Sequence, residues 1–146
     1  MAVEIETILG PIIIATTYLP PRRNYVPVQD IKRLESIRKP VYLVGDLNPR
    51  HPFLGHRDRN IKGNYLHKSI QDGKLKYLGP DFPTLANGRG KPDIILGNRN
   101  AHMNILIKEG NLTTSDHIPI IMLLATKPIM IKTEPRPNYK KANWET

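Results

Sequence analysis

Cysteine is absent from all 146 residues. Disulfides, zinc–thiolate sites and cysteine nucleophiles are therefore excluded. Long apolar runs are absent as well. None approaches the roughly 20 residues that span a bilayer, so no membrane partner is expected. Met1 to Glu6 carry two glutamates and no basic cluster, unlike a signal peptide. An intracellular location is the simplest reading. The chain shows no internal repeat and no low-complexity block. Acidic residues are the minority, 13 against 22 Lys and Arg, giving a net charge of +9 and a pI near 9.9. That imbalance points to a polyanionic partner, nucleic acid or another phosphate-bearing molecule. The plainer alternative is a basic surface that only aids solubility.

Apolar residues make up 39% of the chain, enough for the core of one compact domain of this length. Prolines number 14, and they punctuate the chain at Pro20-Pro21 with Pro27, at Pro49 with Pro52, and in the tail. Val3, Ile5 and Ile8, then Ile12-Ile13-Ile14-Ala15, flank the turn signal Gly10-Pro11 and predict a β-hairpin. Tyr18 stands at the exit of its second strand, and Pro20-Pro21 ends it. Arg22-Arg23-Asn24 makes a basic loop. Val28, Ile31, Leu34 and Ile37 recur every three residues, which predicts one face of a helix over Pro27 to Arg38.

Val41-Tyr42-Leu43-Val44 is a short apolar run of the kind that forms a buried strand. It opens into Gly45-Asp46-Leu47-Asn48, where Gly45 is expected to free the backbone to turn. Asp46 and Asn48 are two residues apart and face one side in extended backbone. A polar loop, Pro49 to Asn60, holds His51 and His56. A helix over Gly63 to Gln71 and a strand over Leu75 to Leu78 follow. Further strands are expected at Asp93 to Leu96, Met103 to Ile107 and Ile118 to Ala125. From Lys127 no apolar period survives, and the segment reads as a basic tail without structure of its own. Strands outnumber helices and the polar signals sit at strand ends. That suits an α/β sandwich with its site in loops at one edge of packed sheets.

Four polar signals recur at those ends: Tyr18, Asp46 with Asn48, Asp93, and Ser115-Asp116-His117. Singly, each has a bland reading. An aspartate after a strand is usually a turn former or cap, and a lone tyrosine or histidine is usually structural. Together they form a carboxylate-rich set in a basic, cysteine-free chain. Such a set suits Mg²⁺, a hard cation that prefers oxygen. A histidine beside a carboxylate moves protons or stabilises charge on phosphate.

These motifs carry a resemblance. Thr17-Tyr18-Leu19-Pro20-Pro21, Gly45-Asp46-Leu47-Asn48, Pro83-Thr84, Pro92-Asp93-Ile94-Ile95-Leu96 and Ser115-Asp116-His117 occur in the order found in the endonuclease/exonuclease/phosphatase superfamily. The His51-Pro52 loop and the tail Tyr139-Lys140-Lys141-Ala142-Asn143-Trp144 resemble the apurinic-endonuclease-like domain of non-LTR retrotransposons. In those elements the tail leads into a reverse transcriptase. The resemblance implies an α/β fold, a partial four-layer α/β sandwich of two packed sheets flanked by helices and incomplete at the N-terminus. Residues 1–126 would be the C-terminal portion of the domain, and 127–146 the basic linker.

The resemblance also implies roles. Asp46 would orient or deprotonate the attacking water, and Asn48 would position that water and a phosphate oxygen. Asp93 would orient His117, which contacts the scissile phosphate. Tyr18 would hydrogen-bond the phosphate. Asp116 would bind the metal, Mg²⁺ or Mn²⁺, while Thr84 and Ser115 support the site. The partner would be DNA, nicked by a metal-dependent phosphodiesterase that is nuclear if it acts on chromosomes.

Family members carry an earlier half that supplies an asparagine and a metal-ligating glutamate. Glu4 and Glu6 precede the hairpin leading to Tyr18 and do not match that glutamate. Weak metal binding, exposed apolar surface and marginal stability are therefore expected. Two other readings remain open. One is a phosphoesterase of lipid or inositol phosphates on the same fold. The other is an inactive remnant that only binds nucleic acid.

Overall fold

Short apolar runs separated by turn residues become the strands. The computed structural model describes residues 1–22 and 24–130. β1 (Ala2–Ile5) and β2 (Ile12–Thr16) form the expected antiparallel hairpin. Gly10 in its turn has φ 104°, a conformation that favours glycine. Helix α1 spans Val28–Ser36, β3 Val41–Asp46, α2 Ile61–Gln71, β4 Leu75–Gly79, β5 Asp93–Asn98, β6 Ile105–Glu109 and β7 Ile120–Leu124. Five strands make one sheet in the order β1-β2-β3-β5-β4, and β6 and β7 pair separately. Among the described residues only β2 and β3 pair in parallel. A parallel pair needs a crossover connection, and α1 supplies it.

The continuous apolar runs of β3 and β5 follow from burial on both faces. On one face Ala15, Leu43, Ile94 and Leu96 pack against Ile31 of α1 and Leu66 of α2. On the other, Ile12 and Tyr42 meet Ile105, Met122 and Leu124 of the second sheet. The layers therefore run helices, sheet, sheet, which is the α/β sandwich expected from the chain. Among the described residues no helix covers the outer face of β6 and β7. Leu106 and Leu123, cross-strand partners on that face, are 58% and 46% exposed.

One polar residue staples the core. Asn98, 2% exposed at the end of β5, accepts from the Val41 and Asn100 N–H groups at 3.1 and 3.2 Å. Its amide donates to the Ile37 and Lys39 carbonyls, both at 2.9 Å. It thereby closes the loop between α1 and β3 onto β5.

Element ends differ modestly from the sequence expectation. α2 begins at Ile61 rather than Gly63 because Asn60 caps it, its side chain accepting from the Gly63 N–H at 2.8 Å. β6 starts at Ile105, since the Ile105 N–H closes a turn onto the Met103 carbonyl. Gly45 needs a correction. It does not turn the chain but lies within β3, where a Cβ would stand 2.0 Å from the Thr17 carbonyl oxygen. Its role is to let the Thr17–Tyr18 backbone cross. Residues 127–129 hydrogen-bond back to the first hairpin, Ile8 N–H to Lys127 and Ile129 N–H to Glu6. The rest of the expected tail, including the Tyr139 to Trp144 motif, and Arg23 of the basic loop lie outside the described residues.

Candidate active site

The site begins where β3 ends and β5 starts. Asp46 and Asp93 are cross-strand partners in that antiparallel pair, so two carboxylates face each other at the sheet rim. The Leu47 and Asn48 N–H groups both donate to the Pro92 carbonyl, at 2.9 and 3.1 Å. This clamps the two strand ends together. Asn48 then takes φ 47°, a left-handed conformation that asparagine tolerates better than most residues. In that pose its side-chain amide donates both to an Asp46 carboxylate oxygen and to the Leu19 carbonyl. The two polar residues of Gly45-Asp46-Leu47-Asn48 thus meet, as their spacing suggested, although Asn48 is already beyond the strand.

The segment after β2 reaches the same place. The Leu19 N–H donates to the Asp46 carbonyl at 2.8 Å. Tyr18, one residue earlier, is 61% exposed at this rim, its side chain open to solvent. Thr84 is fully buried, and its hydroxyl accepts from the Asp93 N–H at 3.2 Å. Its carbonyl accepts from the Ile118 N–H at 2.7 Å, while the Ala86 N–H donates to the Asp116 carbonyl at 2.8 Å. Thr84 therefore ties β5 to the loop before β7 and carries His117 to Asp93. Ser115 shapes that loop from within, its hydroxyl accepting from the His117 N–H at 3.1 Å.

His117 Nδ1 lies 2.7 Å from Asp93 Oδ2. Burial works against the imidazolium, but the Asp93 hydrogen bond and charge, with Asp46 and Asp116 adding, outweigh it and raise the His117 pKa. Asp46 is held above the usual carboxylate range by burial first and then by the Asp93 charge. His117, the Asn48 contact and Lys62 oppose that shift. A carboxylate of raised basicity thus stands beside a histidine that favours its protonated form. A groove of about 360 Å³ lined by Asp93, Ser115 and His117 opens beside them.

Ligand atoms of Asp46, Asp93 and His117 lie within 4.8 Å of one another. Asp116 stands outside that group, exposed at the rim, with its charge felt by His117. The paired carboxylates repel, and a cation would relieve that repulsion. The donors are hard oxygens, with the histidine Nδ1 already engaged by Asp93. That set fits Mg²⁺ or Mn²⁺ better than a thiophilic metal.

Two residues of the site carry no sequence signal. Lys62, in the first turn of α2, is 2% exposed and its ammonium donates to the Pro20 carbonyl. Burial lowers its pKa, while the Asp46 charge holds it up. It fastens the Tyr18 segment to α2 and sets a positive charge behind Asp46. Asn60 donates to the Asn48 carbonyl at 2.8 Å and accepts from the Arg50 N–H at 2.9 Å, so one side chain both caps α2 and braces the Asn48 turn. A lysine in a helix and an asparagine before one are too common to be singled out without the fold. Glu4 is far from this chemistry in role, paired with Lys39 at 2.7 Å.

Comparison with known proteins bears on the family and the fold. The model of a family described as endonuclease-reverse transcriptase matches residues 12–121. The RNA-directed DNA polymerase from mobile element jockey of Drosophila funebris is 24% identical over 132 residues. The match covers 87% of this chain and 14% of that protein. The probable RNA-directed DNA polymerase from transposon X-element of Drosophila melanogaster is 28% identical over 149 residues. There it covers 97% of this chain and 16% of the relative. Among solved structures, the endonuclease domain of TRAS1, a telomere-specific non-LTR retrotransposon, superposes with a TM-score of 0.66 at 22% identity. That superposition covers 84% of this chain and 59% of the TRAS1 chain. The chain thus spans a small part of the curated relatives, and the likeness to TRAS1 is one of fold.

Proposed function

The chain belongs to the endonuclease-reverse transcriptase family, and on that premise we propose that it is part of a metal-dependent phosphodiesterase domain that nicks DNA. The observation that carries this is the Asp93–His117 pair at 2.7 Å set directly against the Asp46–Asn48 pair. Hydrolysis of a phosphodiester needs an activated water, donors aimed at phosphoryl oxygens, and positive charge for the transition state.

Asp46 takes the proton of the attacking water, and Asn48 orients that water and one phosphate oxygen. His117, protonated and fixed by Asp93, donates to the scissile phosphate. Tyr18 offers its hydroxyl from the solvent side. The Asp46–Asp93 pair would hold Mg²⁺ or Mn²⁺, with Asp116 in support from the rim, and the ion when bound supplies positive charge to the phosphoryl oxygens. The basic balance of the chain suits DNA as substrate. By analogy with the names of its relatives, the domain works beside a reverse transcriptase, in the nucleus where the target is chromosomal.

The test is plasmid nicking in Mg²⁺ by the chain and by Asp46→Ala in parallel. Relaxed circles with the parent chain alone are expected. A second reading, DNA binding without turnover by this chain, rests on one observation. Among the described residues no glutamate joins the Asp46–Asp93–His117 group. Absence of nicking together with retained binding selects that reading.

A further inference from the structure

A second groove adjoins the candidate site on the Asn48 side. Asn48 also lines a groove of about 350 Å³ whose walls carry Arg50, His56, Asp58 and Arg89. One wall is the Pro49 to Asn60 loop. It is braced by a turn of 3-10 helix at Pro52–Leu54, by Gly55 at φ 84°, and by Asn60 bridging Arg50 to Asn48. The Arg50 carbonyl sits so close to Gly63 of α2 that a Cβ there would lie 2.1 Å from it. The other wall is the turn held by the Thr84 N–H donating to the Gly90 carbonyl at 2.8 Å, with Arg89 near its tip. Both walls are thus anchored to residues that build the catalytic centre, Asn48 and Thr84.

The groove is cationic. Asp58 is the acidic residue among its lining, and it is already paired with Arg50 at 2.6 Å. Arg89 has no salt-bridge partner among the described residues. His56 packs between the walls, and its Nε2 is buried without a hydrogen-bond partner among the described residues. Burial chiefly lowers the His56 pKa. Asp58 opposes that shift, and Arg50 and Lys91 add to it. Planar guanidinium groups at the mouth of a pre-built groove are the donors that phosphate takes in pairs.

We propose that this groove binds a backbone phosphate of the DNA strand flanking the scissile one, held by Arg89 and by Arg50 after it exchanges Asp58 for the ligand. The proposal rests on the nuclease reading and adds to it a register. The substrate strand runs from His117 past Asn48 to the Arg50–Arg89 groove, and the groove sets where along the strand the cut falls. Neither arginine touches the reacting atoms, so each acts on binding rather than on chemistry.

The experiment is DNA binding by fluorescence anisotropy in EDTA across a KCl series, using a labelled 16-base-pair duplex. Parent chain, Arg89→Ala, Arg89→Lys, Arg50→Ala and Arg33→Ala are compared. Arg33 is exposed on α1 and serves as the control. Loss of one phosphate contact lowers the slope of log K against log salt by roughly 0.9. Arg89→Ala and Arg50→Ala are each expected to show that loss, Arg89→Lys to keep most of the slope, and Arg33→Ala to change nothing. Unchanged slopes in both alanine variants, with the parent chain binding DNA, overturn the groove while leaving the nuclease reading intact. Failure of the parent chain to bind DNA overturns both. A last arm adds inositol hexakisphosphate at matched ionic strength. Weaker displacement of DNA in Arg89→Ala than in the parent chain is expected, since both ligands would share the groove, and equal displacement in both would overturn the groove as a phosphate site.

Discussion

The two halves of the candidate site stand on unequal ground. Asp46 and Asp93 come from β3 and β5, strands buried on both faces, with Ile94, Ile95 and Leu96 fully enclosed, and Asn48 sits in the turn directly after β3. Ser115, Asp116 and His117 come from an exposed loop feeding a two-stranded sheet whose outer face is open. The first half is held by packing, the second by a few hydrogen bonds through Thr84 and Asp93. Asp46 and Asn48 are therefore preorganised by the core. His117 depends on one carboxylate and one threonine.

Truncation experiments should break the comparison most strongly in the core. Leu96→Ala is expected to cost about 3 kcal/mol by the cavity it leaves. Leu123→Ala, on the outer face of β7, is expected to cost less than about 0.5 kcal/mol. Urea titrations of both variants check this, and equal costs would mean that the outer face is covered in solution. Asn98→Ala should cost about 2 kcal/mol, because it strands the buried Val41 N–H and releases the Ile37 and Lys39 carbonyls. A melting temperature unchanged from the parent chain would remove Asn98 as the staple between α1, β3 and β5.

A smaller effect sharpens the loop side. The His117 pKa is raised in the fold, above its ordinary 6.5. Folding therefore gains from the imidazolium, fully below the unfolded pKa, and that gain is lost as pH rises through the folded pKa. Histidine resonances of the metal-free chain, followed by NMR, should show His117 titrating above 6.5, and lower in Asp93→Asn. Asp46 is raised as well, so its ionised form opposes folding, most fully above its folded pKa. Activity should then rise with pH as Asp46 ionises and fall as His117 loses its proton.

Much of this was legible in the chain, for physical reasons. The strands announced themselves because β3 and β5 are enclosed on both faces and so read as unbroken apolar runs. Asp46 ends the β3 run, Asp93 opens the β5 run and His117 stands just before the Ile118 run, so each could be picked out at the border of an apolar stretch. Gly45 was misread, since its neighbour in space, the Thr17 carbonyl, is 28 residues away in sequence. Lys62, Asn60 and Asn98 were invisible for the same reason. Their work is done by hydrogen bonds to backbone groups that only the fold brings near. Asp116 is next to His117 in sequence, yet its carboxylate stays outside the cluster that His117 joins. Spacing alone could not tell those two neighbours apart.

The most direct measurement takes His117→Ala alone, with duplex binding and plasmid nicking read on the same preparation in Mg²⁺. The account predicts that nicking falls by at least about 100-fold, the size of a lost preorganised donor, while the dissociation constant for DNA moves less than about threefold. A loss of nicking matched by an equal loss of binding would contradict it. It would reduce His117 from a catalytic group to a structural one.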